Sequence, residues 1–446
     1  MSDDVRGNRR VIFGWAVYDW ANSAYATTLV TALLPIYFAE VVVPRDFTIG
    51  GTAYAAETLW GYLIGASALF VFLAAPTLGA ISDFASSKKR FLVGFCYFGV
   101  VNALLLWFCN AGDVWRTVFL FICAHVGFVG ANVFYDAFLP QIAPDGKQDW
   151  VSAKGFSFGY LGGGLQFLIA LGLIAGHDAF GMTTALAAKV GMMMSAIWWG
   201  GFGLITAFLL KEPRTVAVLP APYCRYPLGT GYIAFGCRRV WRTSRRVGQM
   251  KHLLLFLIAF MIYNDGIQTV VEMAAIYGKQ ELGLDSTALM LTLLVVQFVA
   301  LAGSLAAARA AERFGTRRTI MATLVGWSIV VIYAYFIHTA TEYFVLGGVV
   351  GLVLGGSQAL SRSFFGSMIP VNASAEFFGF YSVFNKFSSI WGPVLFGFIR
   401  HTTGSSRNAI ISLMAFFIIG IVLLSFVDEV RARRASAEIA VSSEAT

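Results

Sequence analysis

Five ionisable residues, Asp19, Asp136, Asp265, Arg362 and Lys386, sit inside stretches that are otherwise apolar enough to cross a bilayer. A charge in hydrocarbon costs at least about 2.5–3.5 kcal/mol, so each must be paired, solvated or used. Four amides accompany them: Asn22, Asn132, Gln268 and Gln358. The carboxylates can hold an ammonium group or a transported proton. An arginine offers a fork of donors to a carboxylate or phosphate, and the amides can orient a bound molecule. With a rise of about 1.5 Å per helical residue, the five charges fall between the chain-end third of the apolar layer and its midplane. One shared polar cavity accounts for all of them. A lining of both signs suits a zwitterion such as an amino acid or small peptide. The alternative is a structural latch, with Asp19 or Asp136 paired to Arg362 or Lys386.

The spacings repeat. Asp19-x-x-Asn22-Ser23 has a counterpart in Asp265-x-x-Gln268-Thr269, and these offsets stack on one helix face. Asn132-x-x-x-Asp136 precedes Pro144 by the same interval that separates Gln358-x-x-x-Arg362 from Pro370, with the charge sign reversed. A third pair lies between apolar runs. Gly79 to Arg90 carries Asp83 and then Lys88 and Arg90, and Glu312-Arg313 is followed by Arg317. Each places an acid at a helix end, a tight turn, and a basic cluster opening the next helix. Such an acid can pair with the bases or cap a neighbouring helix when that face closes. Plain helix capping and topology-setting charge is the simpler alternative. Glu57 and Glu272 fall toward the opposite side, as gates or solvated helix ends. His125 shares a face with Asn132 and Asp136, and reads first as an intramembrane histidine satisfied by its surroundings.

The elements that must position these residues are membrane spans. The 446 residues are 58% hydrophobic and 13% charged, against about 25% charged in soluble proteins. Hydropathy gives about twelve spans: 11–38, 54–80, 91–110, 114–142, 152–176, 190–210, 252–278, 286–308, 319–338, 343–370, 377–399 and 408–427. Of the 32 Lys and Arg, 24 fall on the side of the two chain ends and 6 on the other. That asymmetry places both termini in the cytoplasm. It also explains the formal charge of +8 without nucleic acid, since no basic patch interleaved with aromatics lies away from the helix flanks. The five cysteines, odd in number and without CxxC spacing, imply neither a disulfide framework nor a zinc site. No cofactor is expected. HExxH and phosphate-loop patterns are missing from the sequence, and its one GxSxG string, Gly155 to Gly159, lies among the glycines of an apolar span rather than at a strand-to-helix turn. That argues against a membrane-embedded enzyme, a lipid-handling protein or an ATP-driven pump.

The spans divide six and six. Residues 1–210 form one bundle and 251–430 the other. A basic linker, 211–250, joins them, part of it a basic amphipathic helix around Val240-Trp241 lying on an anionic leaflet, or simply a topology-setting charged connection. Residues 431–446 are expected to be a disordered tail. In the fifth span Gly155, Gly159, Gly162, Gly163 and Gly164 permit close helix approach. Gly392-Pro393 in the eleventh offers a bend.

Gly79 to Arg90 resembles the loop motif of the major facilitator superfamily. Tyr18 to Ser23, Phe134 to Pro140, Tyr263 to Thr269 and Gln358 to Ser363 are similar to strings of one branch of it. That branch comprises the autophagy-related vacuolar amino-acid effluxers and their bacterial relatives. Phe84, Ser86 and Ala308 depart from the loop pattern. The resemblance implies an all-α fold of two pseudo-symmetric six-helix bundles, with the first, fourth, seventh and tenth spans lining a central cavity. It implies alternating access, with no enzymatic activity. The expected protein is a proton-linked secondary transporter of amino acids or similar small zwitterions, working in efflux as a monomer in a bacterial inner membrane. An exporter of drugs or another small metabolite is the alternative within the superfamily.

Overall fold

A computed structural model describes residues 5–44, 47–49, 52–53, 56–212 and 230–444. The described chain is helical apart from a two-stranded hairpin, Thr48–Ile49 with Thr52–Ala53. The first half holds α1 (Arg9–Val42), α2 (Ala56–Phe84), α3 (Lys88–Phe108), α4 (Val114–Ile142), α5 (Gln148–Ala175) and α6 (Thr184–Leu209). The linker forms α7 (Thr230–Gln249). The second half holds α8 (Lys251–Glu281), α9 (Ser286–Phe314), α10 (Thr316–Phe336), α11 (Ala340–Ser367), α12 (Ser374–Phe387), α13 (Trp391–Thr403) and α14 (Ser406–Ser425).

Ten of these helices are long and apolar enough to span a bilayer. The expected twelve is reached by adding α2 and the pair α12–α13, which together make the eleventh span. That span was expected to be continuous over 377–399, but it breaks between Phe387 and Trp391. The cause is local. Pro393 sits in the first turn of α13, where its missing N–H costs nothing, and the exposed amides of Trp391 and Gly392 find a side-chain acceptor on α8. One other expectation is corrected, and the linker helix is found. The tail is helical as α15 (Glu429–Glu444) rather than disordered. The linker helix covers Thr230–Gln249 and packs on the protein: Phe235 meets Phe84, with ring centroids 4.5 Å apart, and Gly236 faces Thr77 and Ile81.

In α1, Tyr25–Leu33 winds as a π-helix ahead of Pro35, so the Leu34 amide bonds back to Leu29. This extra residue per turn follows from the proline, which cannot supply the next helical donor. Glycines set the close crossings. A Cβ on Gly127 of α4 would stand 2.5 Å from the Gly99 Cα of α3, and one on Gly379 of α12 would stand 2.7 Å from the Pro76 Cα of α2. Small residues let apolar helices approach where lipid offers no hydrophobic drive for association.

The two halves meet along the face that carries the described chain ends. There α2 packs on α12, and α5 packs on α9 and α11. Ser157 and Ser304 hydroxyls lie 2.7 Å apart, and the Ser152 hydroxyl donates to the Ala359 carbonyl at 2.7 Å.

Candidate functional site

At the centre of this seam stands Arg362 of α11, 3% exposed. Every polar partner recorded for its guanidinium belongs to the other half. Nη1 donates to Asp136 Oδ1 of α4 at 3.0 Å and lies 3.5 Å from Asp19 Oδ2 of α1. Nε donates to the Ser152 hydroxyl at 3.0 Å and Nη2 to the Ser152 carbonyl at 2.9 Å. The flat cation is also enclosed by the rings of Phe156, Trp15 and Tyr135, with centroids 4.1, 5.0 and 5.4 Å from its central carbon. A guanidinium suits this place because it is weakly hydrated and stacks on aromatic faces.

The neighbours of Arg362 are fixed in turn. The Tyr135 hydroxyl donates to Asp19 Oδ2 at 2.8 Å, and Trp15 Nε1 donates to the Tyr135 carbonyl at 2.8 Å. The glycine stripe of α5 makes room for them. A Cβ on Gly155 would lie 2.7 Å from the Tyr135 hydroxyl and 3.0 Å from Arg362 Nη2, and one on Gly159 would lie 3.4 Å from Asp19 Cβ. One half therefore offers two carboxylates in an aromatic cage, and the other half inserts the cation. Asn22 donates to Asn132 at 2.6 Å within the first half, while Tyr160 of α5 donates to Gln358 of α11 at 2.6 Å across the seam.

Asp265 does not join this cluster. The repeat matches it to Asp19 in sequence, yet its two oxygens accept from the amides of Trp391 at 3.0 Å and Gly392 at 2.8 Å, capping α13. The two copies of one local pattern have divergent jobs, because α5 is unbroken where the eleventh span is interrupted. Asn264 reinforces the break through Asn385 and Ser388. Gln268 is half-buried on the same face of α8.

Lys386, near the end of α12, is half-buried and has no ion pair within 4 Å among the described residues. Glu272 of α8 and His125 of α4 lie within its electrostatic reach. Both ring nitrogens of His125 are buried without a hydrogen-bond partner among the described residues, contrary to the expectation of a satisfied histidine, and its ring stacks near Phe121 and Phe128. The Glu57 side chain lies outside the described residues.

The loop motif lies against the opposite half on the chain-end face. Asp83 accepts from the Ala375 and Glu376 amides at 3.2 and 2.8 Å, capping α12 of the opposite half. Its carboxylate also pairs with buried Lys88 at 2.8 Å, and Lys88 Nζ reaches Ser374 at 2.9 Å. Gly79 is needed at this crossing, since a Cβ there would stand 2.9 Å from the Glu376 Cα. Arg90 is exposed. In the second half the pattern is met differently. Glu312 pairs with Lys147 across the seam at 2.7 Å, Arg317 donates to the Val427 carbonyl at 2.5 Å, and Arg313 lies over Phe314.

Several contributors carried no strong signal in the sequence. Ser152 and Tyr160 are ordinary helix residues until α5 meets α11. Asp149 reaches the hydroxyls of Thr316 at 2.6 Å and Ser363 at 2.5 Å. Glu376 is 1% exposed and pairs with Arg239 of the linker helix at 2.9 Å. Glu212, just beyond α6, accepts from the Lys88 and Lys89 amides at 2.8 and 3.0 Å and so caps α3. Burial pushes its carboxyl above the usual range, opposed by those two amides. Tyr135 alone could have been found, since it stands inside the Phe134–Pro140 string.

Comparison with known proteins agrees with this architecture. Residues 7–437 match the family model described as vacuole effluxer Atg22 like. An uncharacterized MFS-type transporter of Bacillus subtilis, YxiO, is 35% identical over 420 residues, covering 93% of this chain and 94% of that one. Autophagy-related protein 22 of Coccidioides immitis is 24% identical over 547 residues, covering 98% and 89%. Among solved structures, the human organic anion transporter MFSD10 superposes with a TM-score of 0.67 at 14% identity, covering 93% of this chain and 99% of that one. FucP in its outward conformation gives 0.66 at 13% identity, covering 94% and 99%. At such identities the superpositions speak for the fold alone, and the family match speaks for the rest. The chain belongs to the Atg22-like family, a branch of the major facilitator superfamily, and is a membrane transporter rather than an enzyme.

Proposed function

We propose that the protein exports amino acids or similar small zwitterions, coupled to protons, by alternating access between its two halves. The observation that carries this reading is the charge count of the buried seam. Asp19 and Asp136 face a single guanidinium, which leaves one carboxylate in excess among the described residues. A proton taken up by that pair balances the cluster, and separating the halves changes which carboxylates the cation serves. Arg362 is already committed to Asp136 and Ser152, so it acts as the latch while the halves are joined. Lys386 is then the cation left for a substrate carboxylate, with Glu272 available to its ammonium group.

The chain-end face is taken as cytoplasmic from its Lys and Arg excess, in an inner membrane. Gly79, Asp83, Lys88 and Glu312 hold that face shut, and a monomer contains the whole arrangement. One observation favours the alternative of a drug or apolar-metabolite exporter. An apolar cavity of about 260 Å³ lies between α1 and the second half, lined by residues such as Ile36, Val270, Ala274, Leu289 and Met290.

The test is counterflow in proteoliposomes with labelled amino acids and with a lipophilic cation, with and without an imposed pH gradient. The proposal expects amino-acid counterflow, lost in Lys386→Gln and in Asp19→Asn, while both variants keep their thermal unfolding midpoints within a few degrees. Counterflow of the lipophilic cation alone, unaffected by Lys386→Gln, favours the apolar reading instead.

A further inference from the structure

A second charged site lies away from the transport pathway. On the chain-end face, a groove of about 570 Å³ opens between the start of α1, the α4–α5 turn, the first turns of α5 and the end of α9. Its lining carries four cations, Arg9, Lys147, Lys154 and Arg309, against one acid, Glu312. That acid is already occupied by Lys147 at 2.7 Å. Three cations therefore face the groove with no carboxylate beyond Glu312 among its described lining.

The rest of the lining is not that of a simple solvated surface. Ile12, Pro144 and Val151 supply apolar walls, and Trp150 lies half-buried with the Arg309 guanidinium 5.3 Å from its ring centroid. Lys154 extends along the Phe158 ring, with Nζ 5.9 Å from the centroid. Cations held over aromatic rings beside an apolar wall, where spans enter the bilayer, match a headgroup with its first acyl carbons. They match a fully hydrated ion less well. The groove also crosses the seam: Arg309 and Glu312 come from the second half, and the other lining residues come from the first.

We propose that this groove binds the phosphate of an anionic glycerophospholipid, and that the bound headgroup ties α9 to α1 and α5 while the chain-end face is closed. This does not rest on the transported substrate being an amino acid. It needs only the transporter fold and the charges described.

The experiment uses the full chain purified in detergent. Its thermal unfolding midpoint is followed while dioleoyl-phosphatidylglycerol, dioleoyl-phosphatidylcholine or inorganic phosphate is titrated in. The proposal expects a saturable rise with phosphatidylglycerol, and none with phosphatidylcholine or phosphate at the same concentrations. In the triple variant Arg9→Gln/Lys154→Gln/Arg309→Gln, half-saturation should move to higher lipid by about fivefold for each cation removed. A control triple variant, Arg242→Gln/Arg245→Gln/Arg434→Gln, removes as much exposed charge from the same face and should bind as the parent does. The proposal is overturned if the groove variant binds phosphatidylglycerol with parental half-saturation, or if the control variant loses as much. It is also overturned if phosphatidylcholine or phosphate alone gives the same rise. If the groove triple variant does not fold, the single variant Lys154→Gln supplies the comparison.

Discussion

Gly392 donates its amide to Asp265 Oδ1 at 2.8 Å, and a Cβ on Gly392 would stand 2.8 Å from that same oxygen and closer still to the hydroxyl of Thr269, one turn further along α8. The cap of α13 and the absence of a side chain at Gly392 are therefore one requirement. Gly392→Ala should force the cap apart and destabilise the protein by about 1–3 kcal/mol, as overpacking does. Gly397, one and a half turns on, has nothing within 4 Å of its Cβ position. Gly397→Ala should be neutral or stabilise by up to about 1 kcal/mol through helix propensity. Thermal unfolding of the two variants in detergent checks the contrast, and equal behaviour would argue against the cap.

Arg362 and its two carboxylates should behave as one unit. Removing one member of a buried ion pair costs about 3–5 kcal/mol, because the other charge is left without compensation. Arg362→Met should fall in that range. Asp136→Asn should cost less, since Asp19 and Ser152 still face the guanidinium. Combining Asp136→Asn with Arg362→Met should cost less than the sum of the singles, and a double-mutant cycle measures the coupling. Strict additivity would mean that the two side chains do not act together.

Asp83 holds the start of α12 against α2, so Asp83→Asn should loosen the closed face. A charged cap and ion pair of this kind contributes roughly 1.5–3 kcal/mol, enough to raise the open fraction about tenfold or more. Ser152 is 0% exposed at the seam. In a background without the five native cysteines, Ser152→Cys should react slowly with a membrane-impermeant maleimide. Adding Asp83→Asn should speed that reaction by about the same factor. No change in rate would show that the cap does not govern closure.

The membrane class and the residues that meet at Arg362 are legible in the sequence, because charges and amides stand out against apolar helices. Asp19, Asp136 and Arg362 were legible as a group by depth and sign. What failed was assignment by internal symmetry. Asp265 shares its offsets with Asp19, but local spacing says nothing about the helix packed opposite, and there the eleventh span is broken. The break itself had a sign in Gly392-Pro393, readable as a bend but not as a pair of orphan amides. Ser152 and Tyr160 were invisible for a related reason. Their roles are made by contact between α5 and α11, some 200 residues apart in the chain. The tail misled by composition, since small and polar residues over its last part concealed the Glu429 to Arg433 pairing that helps open α15.

Glu212 gives the pH prediction, since it lies outside the spans with its carboxyl raised by burial. A raised folded-state value means that the native protein holds this proton more tightly than the unfolded chain. Glu212 therefore favours folding below the ordinary glutamate range, near 4.5, and loses that contribution as pH rises through its folded-state value. The two amides of α3 oppose the burial effect without cancelling it. Glu212→Gln removes the titration while keeping one acceptor for the cap. Relative to this variant, the parent should be most stable at the acid end and lose its advantage as pH rises from about 4 toward neutrality. Unfolding midpoints of both proteins across that range make the comparison. A parent that gains on the variant with rising pH would show instead that the amides outweigh burial, and that Glu212 caps α3 chiefly as an anion.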